Sequence, residues 1–173
     1  MFRRILVALD LSPSSPIVWQ RAVELAQASH GHILVAHVSF QDDLDMALIN
    51  GMGYEATLSQ GLWDEYQDHL REEEHSRRQQ MQDLVATVPT AGLTIDYDFS
   101  HGIPGQTLCY LAKSWGADLI ILGRRGHSGL GELLLGSVSN YVLHHAPCSV
   151  LAVQGDQPHN SPSQPAMTTA QSA

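Results

Sequence analysis

The chain is short of cysteine, of basic charge and of long apolar runs, and each shortage closes off a class of function. Its 173 residues include 2 cysteines, Cys109 and Cys148, too few for a disulfide framework or a cysteine metal cage. Cys109 falls on the apolar face of a predicted helix and Cys148 just before a predicted strand, which fits buried, inert thiols. With 9 basic against 18 acidic side chains the formal charge is −9, which argues against a general nucleic-acid binder. No apolar run approaches the roughly eighteen residues of a membrane span. The start, MFRRILVALD, lacks the long apolar region and small-residue cleavage site of a signal peptide, so a cytoplasmic protein is expected. This length and a hydrophobic fraction of 43% suit one soluble domain with its own core.

Several catalytic signatures are missing too. Gly131 and Gly136 have the glycine spacing of a phosphate-binding loop of the G-x-x-x-x-G-K-[ST] type, but Ser137 stands where the lysine would be. Without a lysine on the β- and γ-phosphates, fast phosphoryl transfer has little support. No G-x-G-x-x-G follows the first strand, so a dinucleotide reader is not indicated. The glycine-rich region carries no nucleophile–base pair and no paired carboxylates. Histidines are numerous, 10 in all, but His-x3-His is absent, and the adjacent His144 and His145 point in different directions on a helix.

What is present is an alternation of strands and helices. Ile5–Leu9 is a continuous apolar run of the kind found in a central parallel strand. Ser12, Pro13 and Ser14 then supply helix-start chemistry, with Val18, Ala22, Leu25 and Ser29 on one helical face. Strands are predicted at His32–Ser39, Leu93–Phe99, Leu119–Leu122 and Ser149–Val153. A helix begins near Gly102 and Pro104, with Leu108, Leu111, Ala112 and Trp115 inward, and another begins at Ser137, which suits an N-cap. The pattern predicts an α/β fold, a single-domain open parallel sheet with helices on both faces. Ligands of such sheets bind beyond the carboxyl ends of the strands, where the chain order reverses. Asp10, Ser39 and Gly123 all fall at those ends.

The middle is less regular. Gln41–Gly61 is too long for a simple connection and is read as either a functional lid or a partly disordered loop. Leu62–Val88 reads as a helix whose centre, REEEHSRRQQ, is a solvated face with Glu73–Arg77 and Glu74–Arg78 pairs, so a projecting exposed helix is expected. From Gly155 onward the composition turns to Gln, Pro, Ser, Thr and Ala without periodicity, a flexible tail.

The richest segment runs from Ile120 to Val153. Gly123, Gly126 and Gly136 follow a strand, and Ser137 opens the next helix. Glycines let a backbone approach a ligand closely, and a helix start aims N–H groups and positive dipole at it. Together they describe an anion site suited to a phosphate chain. Arg124, Arg125 and His127 place positive charge in the same loop; solvated turn arginines remain the alternative. Asp10 is open between capping the first helix and meeting the ligand.

The spacing G-x2-G-x9-G-S, followed by V-S-x-Y-V and HAPC, resembles the nucleotide-binding signature of the universal stress protein family, in its ATP-binding subgroup. ILVALD (Ile5–Asp10) resembles that family's first strand and GADLIILG (Gly116–Gly123) its fourth. The similarity covers most of residues 2–154, apart from a divergent stretch over about 41–81. It implies a five-stranded sheet in the order 3-2-1-4-5 and an adenine nucleotide site: ATP, or ADP or AMP, with Mg or Mn. It implies that Ala8, Leu9 and Leu122 line the base and ribose pocket, and that the Val38 backbone reads the adenine edge. Asp10 would lie near the ribose and the metal-bound phosphates, and Gly123, Arg125, Gly126, Gly136, Ser137, Val138 and Ser139 would form the phosphate-binding stretch. Glu132 departs from the basic residue many members carry there. The resemblance further implies a homodimer through Ser149–Val153, a regulatory sensor's role in the stress response towards an unknown protein partner, and at most slow ATP hydrolysis.

Overall fold

The structure is a computed structural model that describes residues 2–40, 60–124 and 135–154, without the side chains of 60–63, 65 and 66. Five strands form one parallel sheet: β1 (Arg4–Ala8), β2 (His32–Ser39), β3 (Thr94–His101), β4 (Leu119–Gly123) and β5 (Ser149–Val153), in the spatial order β3-β2-β1-β4-β5. Among the described residues four helices connect them: α1 (Ser15–Ser29), α2 (Gln60–Ala86), α3 (Pro104–Trp115) and α4 (Ser137–His145). The α/β architecture and strand order predicted for the chain are therefore those observed. Boundaries moved slightly: β1 starts and ends one residue before the predicted run, and β3 is displaced to Thr94–His101. Among the described residues no helix is long and apolar enough to cross a membrane.

β1 lies at the centre because its side chains are apolar in succession, and Ile5, Leu6 and Val7 are fully buried. Alternation sends Ile5 and Val7 to one face and Leu6 to the other. On the first face they meet Val18, Trp19, Ala22 and Val23 of α1 and Met81 and Val85 of α2. On the second, Leu6 joins Leu34, Ile120 and Leu122 beneath Leu108 and Ala112 of α3 and Val142 of α4. The helices thus divide two and two across the sheet. At the crossing of α3 and α4, a Cβ on Gly105 would stand 2.8 Å from the Tyr141 ring, so only glycine lets the helices lie this close. Helix α3 ends at Gly116, whose φ of 72° is a left-handed cap that a side chain would strain.

Helix α2 corrects the expectation of a helix wholly exposed and projecting. Its middle is solvated, with the predicted ion pairs Arg77–Glu73 at 2.8 Å and Arg78–Glu74 at 2.6 Å. The Arg78 guanidinium nevertheless lies over the Phe99 ring, 4.5 Å from its centroid. Its last turns are core: Met81 is 0% exposed and Val85 is buried, and the Trp19 indole donates to the Val85 carbonyl at 3.1 Å. Four apolar residues at the end of an otherwise charged helix give a weak periodic signal, so burial was not legible there. Cys109 and Cys148 are half-buried free thiols. Burial raises both above the ordinary thiol range, and Asp118 and Cys109 push Cys148 the same way, which agrees with inert groups. The 41–59 part of the predicted insertion and the tail from Gly155 lie outside the described residues.

Met81→Ala is expected to lower the unfolding free energy by about 2–5 kcal/mol, as a cavity in a packed core does. Removing the Arg77–Glu73 pair should change it by less than about 1 kcal/mol. Urea titrations of both variants check this, and equal effects would place α2 outside the core.

Candidate functional site

At the carboxyl end of the sheet, β1 and β4 send their chains to opposite faces, and a cleft of about 310 Å³ opens between them. Its floor is apolar, from Ala8, Leu9, Val18, Ala36, Val38, Leu108 and Leu122. Its rim is polar and built from two helix starts, Ser14 and Ser15 at α1 and Gly136 and Ser137 at α4, with Asp10 beside the first. Unsatisfied N–H groups and the positive end of a dipole make a helix start attractive to an anion. At α1 the Ser15 N–H already donates to the Ser12 carbonyl at 2.9 Å and Pro16 has none, so α1 offers chiefly its dipole and α4 the donors. Two starts at one rim, above an apolar floor, suit a ligand with a flat apolar part and an anionic part.

Of the residues expected at the site, the structure brings together Ala8, Leu9, Asp10, Val38, Leu122, Gly123, Gly136, Ser137, Val138 and Ser139, all on this cleft. Arg125 and Gly126, with His127 and Glu132, lie outside the described residues. The two ends of that segment are tied, because the Gly136 N–H donates to the Arg124 carbonyl at 2.9 Å and the Arg124 N–H to the Val153 carbonyl at 2.7 Å. Sequence reasoning missed Ser14, Ser15, Val18, Ala36, Pro104 and Leu108. Ser14 and Ser15 carried a signal, since helix-start serines follow a strand ending in Asp10. Leu108 carried none, because its helical spacing said only that it faces inward.

Three local details differ from expectation. Ser137 is the first helical residue, and the N-cap is Gly136, which makes no side-chain cap; the serine hydroxyl therefore does not close its own helix. Ser139 is 3% exposed and donates its hydroxyl to the Gly123 carbonyl at 2.7 Å, with the Arg124 carbonyl at 3.1 Å. Its single proton ties α4 to the end of β4 and does not face outward to an anion. The Asp10 carboxylate is not a choice between two roles alone, because it lines the cleft and also orders the α1 start. Its Oδ1 accepts from the Ser12 N–H at 3.0 Å and the Ser15 hydroxyl at 3.1 Å. The intervening Leu11 has a φ of 60°, a left-handed conformation that such local bonds hold in place.

No group of three or more His, Cys, Asp or Glu placed to hold a metal occurs among the described residues. His32 illustrates the bland role of several histidines: its ring packs edge-on against Trp115 at 5.2 Å, with Nε2 2.9 Å from Asp96 Oδ2. That contact is at the amino end of the sheet, far from the cleft.

The profile of the universal stress protein family matches residues 1–154. The chain belongs to the universal stress protein family. It is 39% identical over 153 residues to the universal stress protein Sll1388 of Synechocystis, covering 88% of this chain and 98% of that one. It is 34% identical over 156 residues to universal stress protein A homolog 2 of Coxiella burnetii, covering 88% and 95%. Among solved structures, universal stress protein UspA from Lactobacillus plantarum superposes with a TM-score of 0.64 at 27% identity, over 87% of this chain and 97% of that one. The similarity thus spans the whole sheet of this universal stress protein, and the fold is shared with those structures.

Ser139→Ala should lower the unfolding free energy by about 1 kcal/mol, the worth of a buried hydrogen bond whose acceptor is left behind. Denaturant melts of the ligand-free protein read this directly. An unchanged midpoint would mean the hydroxyl is held for a ligand and not for the helix.

Proposed function

We propose that the cleft binds an adenine nucleotide, ATP with Mg or Mn in the first place and ADP or AMP as its relatives, and that occupancy makes the protein a regulatory sensor in the stress response. The observation that carries the reading is the meeting of two helix starts over an apolar floor. A purine needs an apolar slot, and a phosphate chain needs N–H donors and positive potential. Related structures support the choice of ligand: one universal stress protein is solved in complex with cAMP, at 24% identity and a TM-score of 0.56. A family protein from Arabidopsis thaliana is solved with AMP bound, at 20% identity and a TM-score of 0.50.

In this reading Gly136, Ser137 and Val138 hold the phosphates from α4, with Arg125 and Gly126 completing the loop, and Val38, Ala8, Leu9 and Leu122 hold base and ribose. No side chain would hold the cation directly, and Asp10 would lie near it where it is bound to the phosphates. A magnesium ion keeps most of its ligands as water and phosphate oxygen, so it needs no dedicated cage of side chains. The reading includes no catalytic residue, and any hydrolysis is slow. It places the protein in the cytoplasm, where adenine nucleotides report the energy state, acting on a protein partner still to be identified.

The same reading has two copies pairing through β5. The sheet order ends at this strand, and Leu151 is 37% exposed on it. An apolar edge strand is a template for pairing with another, and a second copy supplies a matching strand across a two-fold axis.

Calorimetric titration with ATP, AMP and cAMP tests the ligand. Binding of at least one is expected, with Gly136→Val losing about ten-fold or more in affinity as its side chain fills the approach to the α4 start. A wild-type protein that binds none of the three overturns the reading. Light scattering tests the pairing: Leu151→Arg is expected to shift a dimer to monomers, and a wild-type monomer would remove that part.

A further inference from the structure

The floor of the cleft extends towards β2 because β1 and β2 part at one particular rung, and a side chain stands at the parting. The Ala8–Ala36 register is the last of the β1–β2 ladder, and the Leu9 N–H still donates to the Ala36 carbonyl at 3.0 Å. Bonds in a parallel pair alternate from strand to strand at even spacing. The next would run from the Val38 N–H to the Leu9 carbonyl. Instead, Nδ1 of His37 lies 2.8 Å from that carbonyl oxygen. A carbonyl only accepts, so Nδ1 must carry the proton. The ring is half-buried against Phe99, with centroids 6.3 Å apart, on the face of β2 opposite the side chain of Val38. It therefore approaches Leu9 from behind the cleft wall.

We propose that His37 is a positioning residue that stands in for this missing rung, satisfying the Leu9 carbonyl so that the Val38 peptide N–H and C=O are left to a ligand's hydrogen-bonding edge. By the two-residue repeat of the strand, both Val38 groups point towards β1, as the Ala36 carbonyl does. At that depth β1 has turned away into the Asp10 loop, and the gap is the floor of the cleft. A paired donor and acceptor there match the acceptor and amino donor on the edge of an aminopurine. Without the imidazole, the Leu9 carbonyl would face a desolvation cost that pairing with Val38 relieves, and that pairing closes the floor. The ligand part of this inference rests on the nucleotide reading above; the sheet part does not.

The test uses the full chain as wild type, His37→Asn and His37→Phe. An asparagine amide can place a donor near the Nδ1 position, and phenylalanine keeps the bulk without one. In the ligand-free proteins, amide exchange followed by NMR should show the Val38 N–H about ten-fold or more slower in His37→Phe than in wild type, with His37→Asn close to wild type. ATP affinity should fall by about two- to ten-fold in His37→Phe, the worth of one hydrogen bond, and recover in His37→Asn. Nitrogen-15 shifts of the wild-type ring should place a proton on Nδ1, a readout that stands even if His37→Phe fails to fold. An unprotonated Nδ1, unchanged Val38 exchange in His37→Phe, or an asparagine variant as impaired as phenylalanine overturns the proposal. A wild-type protein that binds no ATP overturns the ligand part alone, and the exchange and tautomer results still decide the sheet part.

Discussion

The β1 strand is bonded along both edges, to β2 and to β4, and is sealed on both faces by helices that pack on Ile5, Leu6 and Val7. A strand so enclosed cannot shift register, because a one-residue slip would exchange its two faces and break two cores together. Its carboxyl end is consequently a rigid reference point. Both neighbouring strands run parallel to it, so their carboxyl ends gather at the same edge. The crossovers leave on opposite faces, and the gap between them is unavoidable. The position of the cleft is thus a consequence of the chain order.

What the sequence does supply is the chemistry of the rim. The hydroxyls of Ser12, Ser15 and Ser139 are largely engaged within the protein: Ser12 with Ser14, Ser15 with Asp10, Ser139 with the end of β4. The serines therefore shape the rim, and the groups best suited to an anion are peptide N–H groups at the α4 start. Backbone donors have fixed directions and no rotamer freedom to lose, which favours recognition by geometry over recognition by charge. The overall charge of −9 is compatible with an anionic ligand on those terms, since the helix-end potential acts within about a turn. The close approach of α3 to α4 at Gly105 belongs to the same design, because it sets where the α4 start stands.

Helix α2 shows how composition can mislead. A straight helix of 27 residues is about 40 Å long, longer than an eight-residue strand at about 27 Å. It cannot lie on the sheet along its whole length. The end carrying Met81 and Val85 packs beside α1, and the charged middle is held by ion pairs with its own neighbours. Averaged over the segment, the charged part dominates the pattern and hides the buried part.

From sequence alone, the strand runs and helix starts determined the open parallel α/β class, and the resemblance carried by the glycine spacing supplied the strand order and marked ten of the residues that line the described cleft. Those features are local: β-branched and apolar runs choose strands, and Ser, Pro and Gly choose where helices begin and end. Only the tertiary structure decided the rest. It set the direction of the Ser139 hydroxyl, the double duty of Asp10, the burial of Met81 and the engagement of His37 with Leu9. Each of these depends on which groups distant in the chain come within about 3 Å of one another, and hydrogen-bond reach of that kind leaves no periodicity along the chain to be read.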